Sequence, residues 1–158
     1  MKTLDERLKR ISDAADRAKR EEKEKADAFT KKVKATRKAI KDLAPRVRDI
    51  IDVATQMHNH GISIGKFVSN GIYHTLGLMV EYGTGYPERK PLGVGIEGGG
   101  YAGADFVVGR EGYLIGPQQT KDGYYYDVNT EESLAKGERF LKEFDHFEQT
   151  FYEYVDSL

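Results

Sequence analysis

No cysteine occurs in the 158 residues, which removes disulfides, thiolate metal sites and cysteine nucleophiles together. Long apolar runs are missing as well. None approaches the roughly 18 residues of a membrane-crossing helix, and the charged stretch from Met1 to Ile11 has no signal-peptide core. The setting these absences imply is cytoplasmic, with no membrane partner. Apolar side chains are also scarce in the opening part of the chain, which therefore cannot build a core of its own. Catalytic signatures are equally thin. Ser63, Ser69, Ser133 and Ser157 stand in no nucleophile elbow, and no carboxylate sits at a recognised ligand spacing from His58, His60 or His74. Neither a cofactor nor a metal is expected.

Charge is what the chain has in quantity. Residues 1–58 carry 17 Lys+Arg against 11 Asp+Glu, and residues 59–158 carry 8 against 15, so the two parts differ in sign although the net charge is −1. Such segregation steers polyanions to one region and cationic surfaces to the other, beside its ordinary role in solvation.

Thr3 and Glu6 make a capping box for a helix whose first turn is acidic. Leu4, Leu8, Ile11, Ala15 and Ala18 recur at spacings of four and three, and Phe29, Val33, Thr36, Ile40 and Leu43 resume the pattern. Between them Glu22 and Lys25 occupy the seam, so the stretch Arg20–Lys25 is either solvated all round or a bend. Pro45 should kink the helix or restart it. Val47, Ile50, Ile51, Ala54 and Met57 then define a short buried helix ending before Gly61. These signals divide the chain into a charged helical arm, residues 1–44, that projects or self-associates through Leu4, Leu8 and Ile11, and a compact α+β domain, residues 45–158.

From Gly61 the period changes to two. Ile72, His74, Leu76, Leu78, Val80 and Tyr82 alternate along one long strand, and Leu92, Val94 and Ile96 along the next. Ala104–Gly109 and Tyr113–Gly116 are joined by the hairpin-length turn Arg110-Glu111-Gly112, and Gly123–Val128 follows. The expectation is a roughly five-stranded antiparallel sheet. A helix from about Thr130 closes the chain, with Leu134, Leu141, Phe144, Phe151, Val155 and Leu158 on one stripe widened by Phe140, Phe147, Tyr152 and Tyr154. It should cover the sheet.

Several residues invite a functional reading. Gly93-Val94-Gly95-Ile96-Glu97-Gly98 has the glycine spacing of a dinucleotide loop, but no helix follows to receive a phosphate, so a flexible hairpin is expected. His58, His60 and His74 offer imidazoles without converging spacing. Glu81, Glu97, Asp105 and Glu111 fall near strand ends, where paired acids would have to meet to catalyse. Tyr101, Tyr113, Tyr124, Tyr125 and Tyr126 present rings suited to proteins or unstacked bases, or simply pair across strands. Lys31, Lys32, Lys34, Arg37, Lys38, Lys41, Arg46 and Arg48 form the densest basic tract, with Asp42 the single acid between Asp27 and Asp49. Nothing near them resembles a reading head for DNA or RNA.

The residues point first to a non-enzymatic binding protein that occupies the surface of another protein, as a homodimer. Small inhibitors and adaptors are of this kind, including those that phages and mobile elements direct against host nucleic-acid machinery such as CRISPR effectors; that is an analogy of class. Direct binding of DNA or RNA through the basic tract is the alternative, and a small-molecule enzyme with a glycine-rich lid is the third reading.

Overall fold

A computed structural model describes residues 1–62, 77–82, 90–97, 104–112, 114–120, 123–126 and 128–158. In chain order they form α1 (Leu4–Asp42), α2 (Ala44–Asn59), β1 (Leu78–Tyr82), β2 (Pro91–Glu97), β3 (Ala104–Gly109), β4 (Leu114–Thr120), β5 (Gly123–Tyr126) and α3 (Glu131–Asp156). The α+β class read from the sequence holds. The chain divides into two compact units, Met1–Ala35 and Thr36–Leu158. The division precedes residue 44 because Thr36 and Ile40 already pack against α3. At Gly137 an added Cβ would lie 3.0 Å from Thr36 Cγ2 and 3.4 Å from Ile40 Cδ1, so a bare backbone is what lets these helices approach.

In the first unit the capping box is formed. Glu6 N donates to Thr3 Oγ1 at 3.2 Å, and Thr3 N donates to Glu6 Oε2 at 3.3 Å. The helix then continues through Glu21–Lys25 without a break, and every residue from Met1 to Ala28 is exposed. Of the two expectations for this stretch, solvation all round is the one observed. Alanine, lysine, arginine and glutamate keep it helical by propensity, without the help of burial. Phe29 is half-buried and Val33 buried, which ends the solvated stretch.

The second unit begins with the last turns of α1. At Leu43 the helix is interrupted for one residue and α2 starts at once, with Pro45 in its first turn, where its missing N–H costs nothing. Ala44, Val47, Ile50, Ile51, Ala54 and Met57 make the buried stripe expected of it. Ile62 N donates to Met57 O at 2.8 Å beyond its end.

Pairing is antiparallel across β1, β2 and β3, with one register slip in each ladder. Leu78, Ile96 and Phe106 stand in one row and Val80, Val94 and Val108 in the next, all buried. Leu92 departs from the expected face and is 40% exposed, because the register slips between Glu81 and Tyr82 and leaves Leu92 bulged between Gly93 and Pro91. Of the long first strand foreseen, Leu78–Tyr82 is described; residues 72–76 lie outside the described residues. Gly112 N donates to Gly109 O at 3.0 Å in the expected hairpin turn. Past β3 the ladder thins. Val107 pairs with Ile115 and Val108 with Leu114, and the β4–β5 register shifts between Ile115 and Thr120, a stretch that contains Pro117 and so lacks one donor. A roughly five-stranded antiparallel sheet was expected; the well-paired sheet is three-stranded, β1–β3, with β4 and β5 following in hydrogen-bonded order on the β3 side.

The closing helix covers this sheet. Thr130 caps it: Ser133 N donates to Thr130 Oγ1 at 3.1 Å and Thr130 N donates to Ser133 Oγ at 3.0 Å. Its buried stripe is Leu134, Gly137, Phe140, Phe144, Phe147 and Phe151, and the Phe140 ring lies 6.1 Å from Phe106 on β3. The stripe is rotated from the one anticipated: Leu141 and Val155 are half-buried and Leu158 is exposed, while Phe140 and Phe147 take the centre. Four consecutive phenylalanine positions at spacings of four and three outweigh the leucines flanking them. Phe147→Ala should therefore cost about 3 to 5 kcal/mol, and Leu141→Ala less than about 2. Urea denaturation of the two variants checks this, and a larger loss at Leu141 would contradict the observed orientation.

Candidate functional site

Helical periodicity distributes the basic tract over distinct surroundings. In the first unit Lys31, Lys32 and Lys34 are exposed; in the second Arg37, Lys38 and Lys41 are exposed. Their neighbours Val33, Thr36 and Ile40 are buried, so the charges occupy the outer sides of α1. Arg46 and Arg48 belong to something else. Arg46 lies across the second-unit surface of α3: its Nη2 donates to Asp145 Oδ1 at 2.7 Å and to Glu148 Oε1 at 2.6 Å, and its Nε donates to Glu148 Oε2 at 3.0 Å. The guanidinium carbon also sits 4.9 Å from the centre of the Phe144 ring. A planar fork can meet a carboxylate with two donors while resting on an aromatic face, which an ammonium cannot do. The hydrogen bonds from Glu148 and Asp145 raise the Arg46 pKa still further, so the group is a fixed cation.

Arg48 joins α2 to the β3–β4 turn. Its Nη2 donates to Arg110 O at 3.3 Å and approaches Glu111 Oε2 at 3.7 Å, and Arg110 in turn pairs with Asp52. Sequence reasoning grouped both arginines with the lysines because their partners are remote. Glu148 is 102 residues from Arg46, and no local spacing signals such a pair.

The remaining candidates separate. Gly93 and Gly95 lie inside β2, paired to Glu81 and Met79 on one side and to Gly109 and Val107 on the other, so the glycine-rich stretch up to Glu97 is strand and not a hairpin or a phosphate loop. A Cβ at Gly93 would collide with Val108 O and would stand 2.7 Å from Val107 Cγ1, which explains the glycine by strand packing. Glu81 faces Gly93 and Glu97 faces Ala104 in the ladders, toward opposite ends of β2. Asp105 is in β3 and Glu111 in the exposed turn. Ser133 and Ser157 serve helix ends, and Ser63 and Ser69 lie outside the described residues. Among the described residues no three His, Asp or Glu side chains gather as for a metal.

His58 and His60 are exposed at the end of α2, and His74 lies outside the described residues. The His58 ring is 6.1 Å from that of Tyr82, whose half-buried phenol is pushed up to about 12 by burial. Burial, followed by the carboxylates of Asp49 and Glu148, likewise raises Tyr152. Tyr101 and Tyr113 lie outside the described residues. For Tyr124, Tyr125 and Tyr126 the backbone places all three in β5, with Tyr125 opposite Ile115 and Tyr126 opposite Leu114. Leu4, Leu8 and Ile11 are exposed on one side of α1, at 72%, 54% and 67%.

No protein-family model matches the chain, no curated protein matches it, and no solved structure matches it. Among the described residues no helix is long and apolar enough to cross a membrane.

Two outcomes follow from this geometry. Arg46→Ala strips two carboxylates of a shared cation and bares the Phe144 ring, so it should destabilise by about 1 to 2 kcal/mol even allowing for its partial exposure. Arg48→Ala, with a longer and exposed pair, should cost less than about 1. Chemical denaturation that ranked them the other way would contradict the clamp. Tyr82 sets an alkaline limit. Its phenol ionises near its ordinary value in the unfolded chain but holds its proton to about 12 in the folded one. The folded state thus binds more protons than the unfolded state between these values, and stability falls as pH rises through them. Tyr82→Phe should flatten that decline in a thermal-melt series, and an unchanged slope would show that another group governs it.

Proposed function

We propose that the protein is a non-enzymatic binding protein that acts by occupying the surface of an acidic partner protein, in the manner of a small inhibitor or adaptor. The observation that carries this reading is the exposure of Lys31, Lys32, Lys34, Lys38 and Lys41 on a stretch of helix with no acid between Asp27 and Asp42 in sequence. Arg46 and Arg48 of the tract are paired with carboxylates, and these lysines are exposed to solvent. A row of exposed ammonium groups is attracted to an acidic surface over a Debye length of about 8 to 10 Å and dehydrates little on contact. Recognition of this sort needs neither a cleft nor converging acid and base.

A second reading rests on spacing. Lys31, Lys34, Lys38 and Lys41 recur at three, four and three residues along α1, the interval that follows one edge of a helix. Such an edge tracks a phosphate backbone without reading sequence.

One variant tests both. Lys31, Lys34, Lys38 and Lys41 changed together to Glu reverse the charge of the edge at positions where glutamate is a good helix former. The wild type is expected to capture an acidic protein from an extract of its own cell, in a salt-sensitive manner, and the variant to lose it. Capture that survives the four changes would remove the basic tract from the account. Retention of the wild type on DNA or RNA at about 50 mM salt, weakening with a slope of about 0.9 per contact on a log–log plot, would replace the first reading by the second.

A further inference from the structure

The first unit carries an apolar seam that nothing within its described residues 1–28 covers. Leu4, Leu8, Ile11, Ala15 and Ala18 follow the alternating four- and three-residue spacing of a two-helix seam, and all are exposed on α1. The positions flanking the seam decide what fits on it. On one side these are Arg7, Ala14 and Glu21; on the other they are Asp5, Ser12 and Lys19. We infer that this seam pairs with the same seam of a second copy of the chain, antiparallel, about a two-fold axis at Asp13.

That register places Leu8 against Ala18 of the second copy and Ile11 against Ala15, large on small, twice each by symmetry. Arg7 then lies beside Glu21 of the second copy and Asp5 beside Lys19, so four attractive pairs border the seam. Leu4 meets Glu22 at the outer ends, where the carboxylate reaches water and its methylenes cover the leucine.

Other alignments lose these contacts. A parallel pair sets Glu22 against Glu22 and Lys25 against Lys25 in the seam and brings no charged flank opposite its complement. An antiparallel pair moved one heptad toward the C-terminus sets Glu21 beside Glu21 and Lys19 beside Lys19. Moving it half a heptad leaves Arg7 beside Ala28 and Glu21 beside Ala14. Flanking charge is the device by which paired helices choose partner and orientation, and among these alignments it selects the one about Asp13. The pairing uses residues 4–22 and does not depend on the basic tract beyond them.

The absence of cysteine makes the arrangement directly readable. Residue 14 faces its own copy across the axis, so Ala14→Cys in the full chain should form a covalent dimer on mild oxidation. Leu4→Cys, at the far end of the seam, should not. Preferential cross-linking of Leu4→Cys would mean a parallel pair and would overturn the proposal. Sedimentation of the full chain from about 1 µM to about 1 mM should show a concentration-dependent dimer, weakened about tenfold by Arg7→Glu and restored by Arg7→Glu combined with Glu21→Arg. A monomeric mass throughout, or a double variant no stronger than the single one, would equally overturn it.

Discussion

The contact of the α3 phenylalanines with the face of β1–β3 is what the second unit depends on. Phe140, Phe144, Phe147 and Phe151 are fully buried, and the strand rows Leu78–Ile96–Phe106 and Val80–Val94–Val108 give them a continuous apolar surface. Each ring is worth about 3 to 5 kcal/mol on truncation, against a total stability of about 5 to 15 for a domain. Neighbouring rings reinforce one another: Phe140 and Phe144 lie 5.5 Å apart, and Phe147 and Phe151 lie 6.1 Å apart and stacked. Everything polar around this core is arranged by it. Arg46 rests against the Phe144 ring while it pairs with Glu148 and Asp145, and Gly137 opens the helix surface where Thr36 and Ile40 come in.

Two kinds of charge follow from that arrangement. Those whose partners the fold brings near are spent on stability, as Arg46, Arg48 and Arg110 are with Glu148, Glu111 and Asp52. The lysines on the outer sides of α1 are exposed to water. A sequence count treats the two alike, and this is why the tract Lys31–Arg48 reads as one surface until the second unit folds beneath its end. The functional proposal narrows accordingly to the lysines, which carry a compact and fully hydrated charge suited to long-range attraction rather than to a fixed fork.

Much of this was legible in the sequence where local chemistry decides the outcome. Thr3 with Glu6 caps a helix, another starts at Thr130, Pro45 restarts one, and the Arg110-Glu111-Gly112 turn closes a hairpin, each by rules that span a few residues. The rotation of α3 was not legible, because Leu141 and Phe140 are adjacent and only the sheet beneath them selects between the two. Leu92 was misplaced for a similar reason: a bulge of one residue against β1 has no signature in β2 itself. Gly93 illustrates the opposite error. Its spacing suggests a ligand loop, yet the approach of Val107 and Val108 explains it. The ion pairs of Arg46 join positions about a hundred residues apart and leave no pattern at all.

The first unit obeys a different constraint. It is helical by propensity and capping, and its seam is too narrow to be buried without a second surface. Order in the two units should therefore respond differently to protein concentration. The most direct measurement is amide hydrogen exchange on the intact chain at dilute and at high concentration. Amides of residues 8–22 should gain protection as concentration rises, while those of α3 and β1–β3 exchange slowly and equally under both conditions. Strong protection of residues 8–22 in dilute solution, unchanged on concentration, would contradict the account.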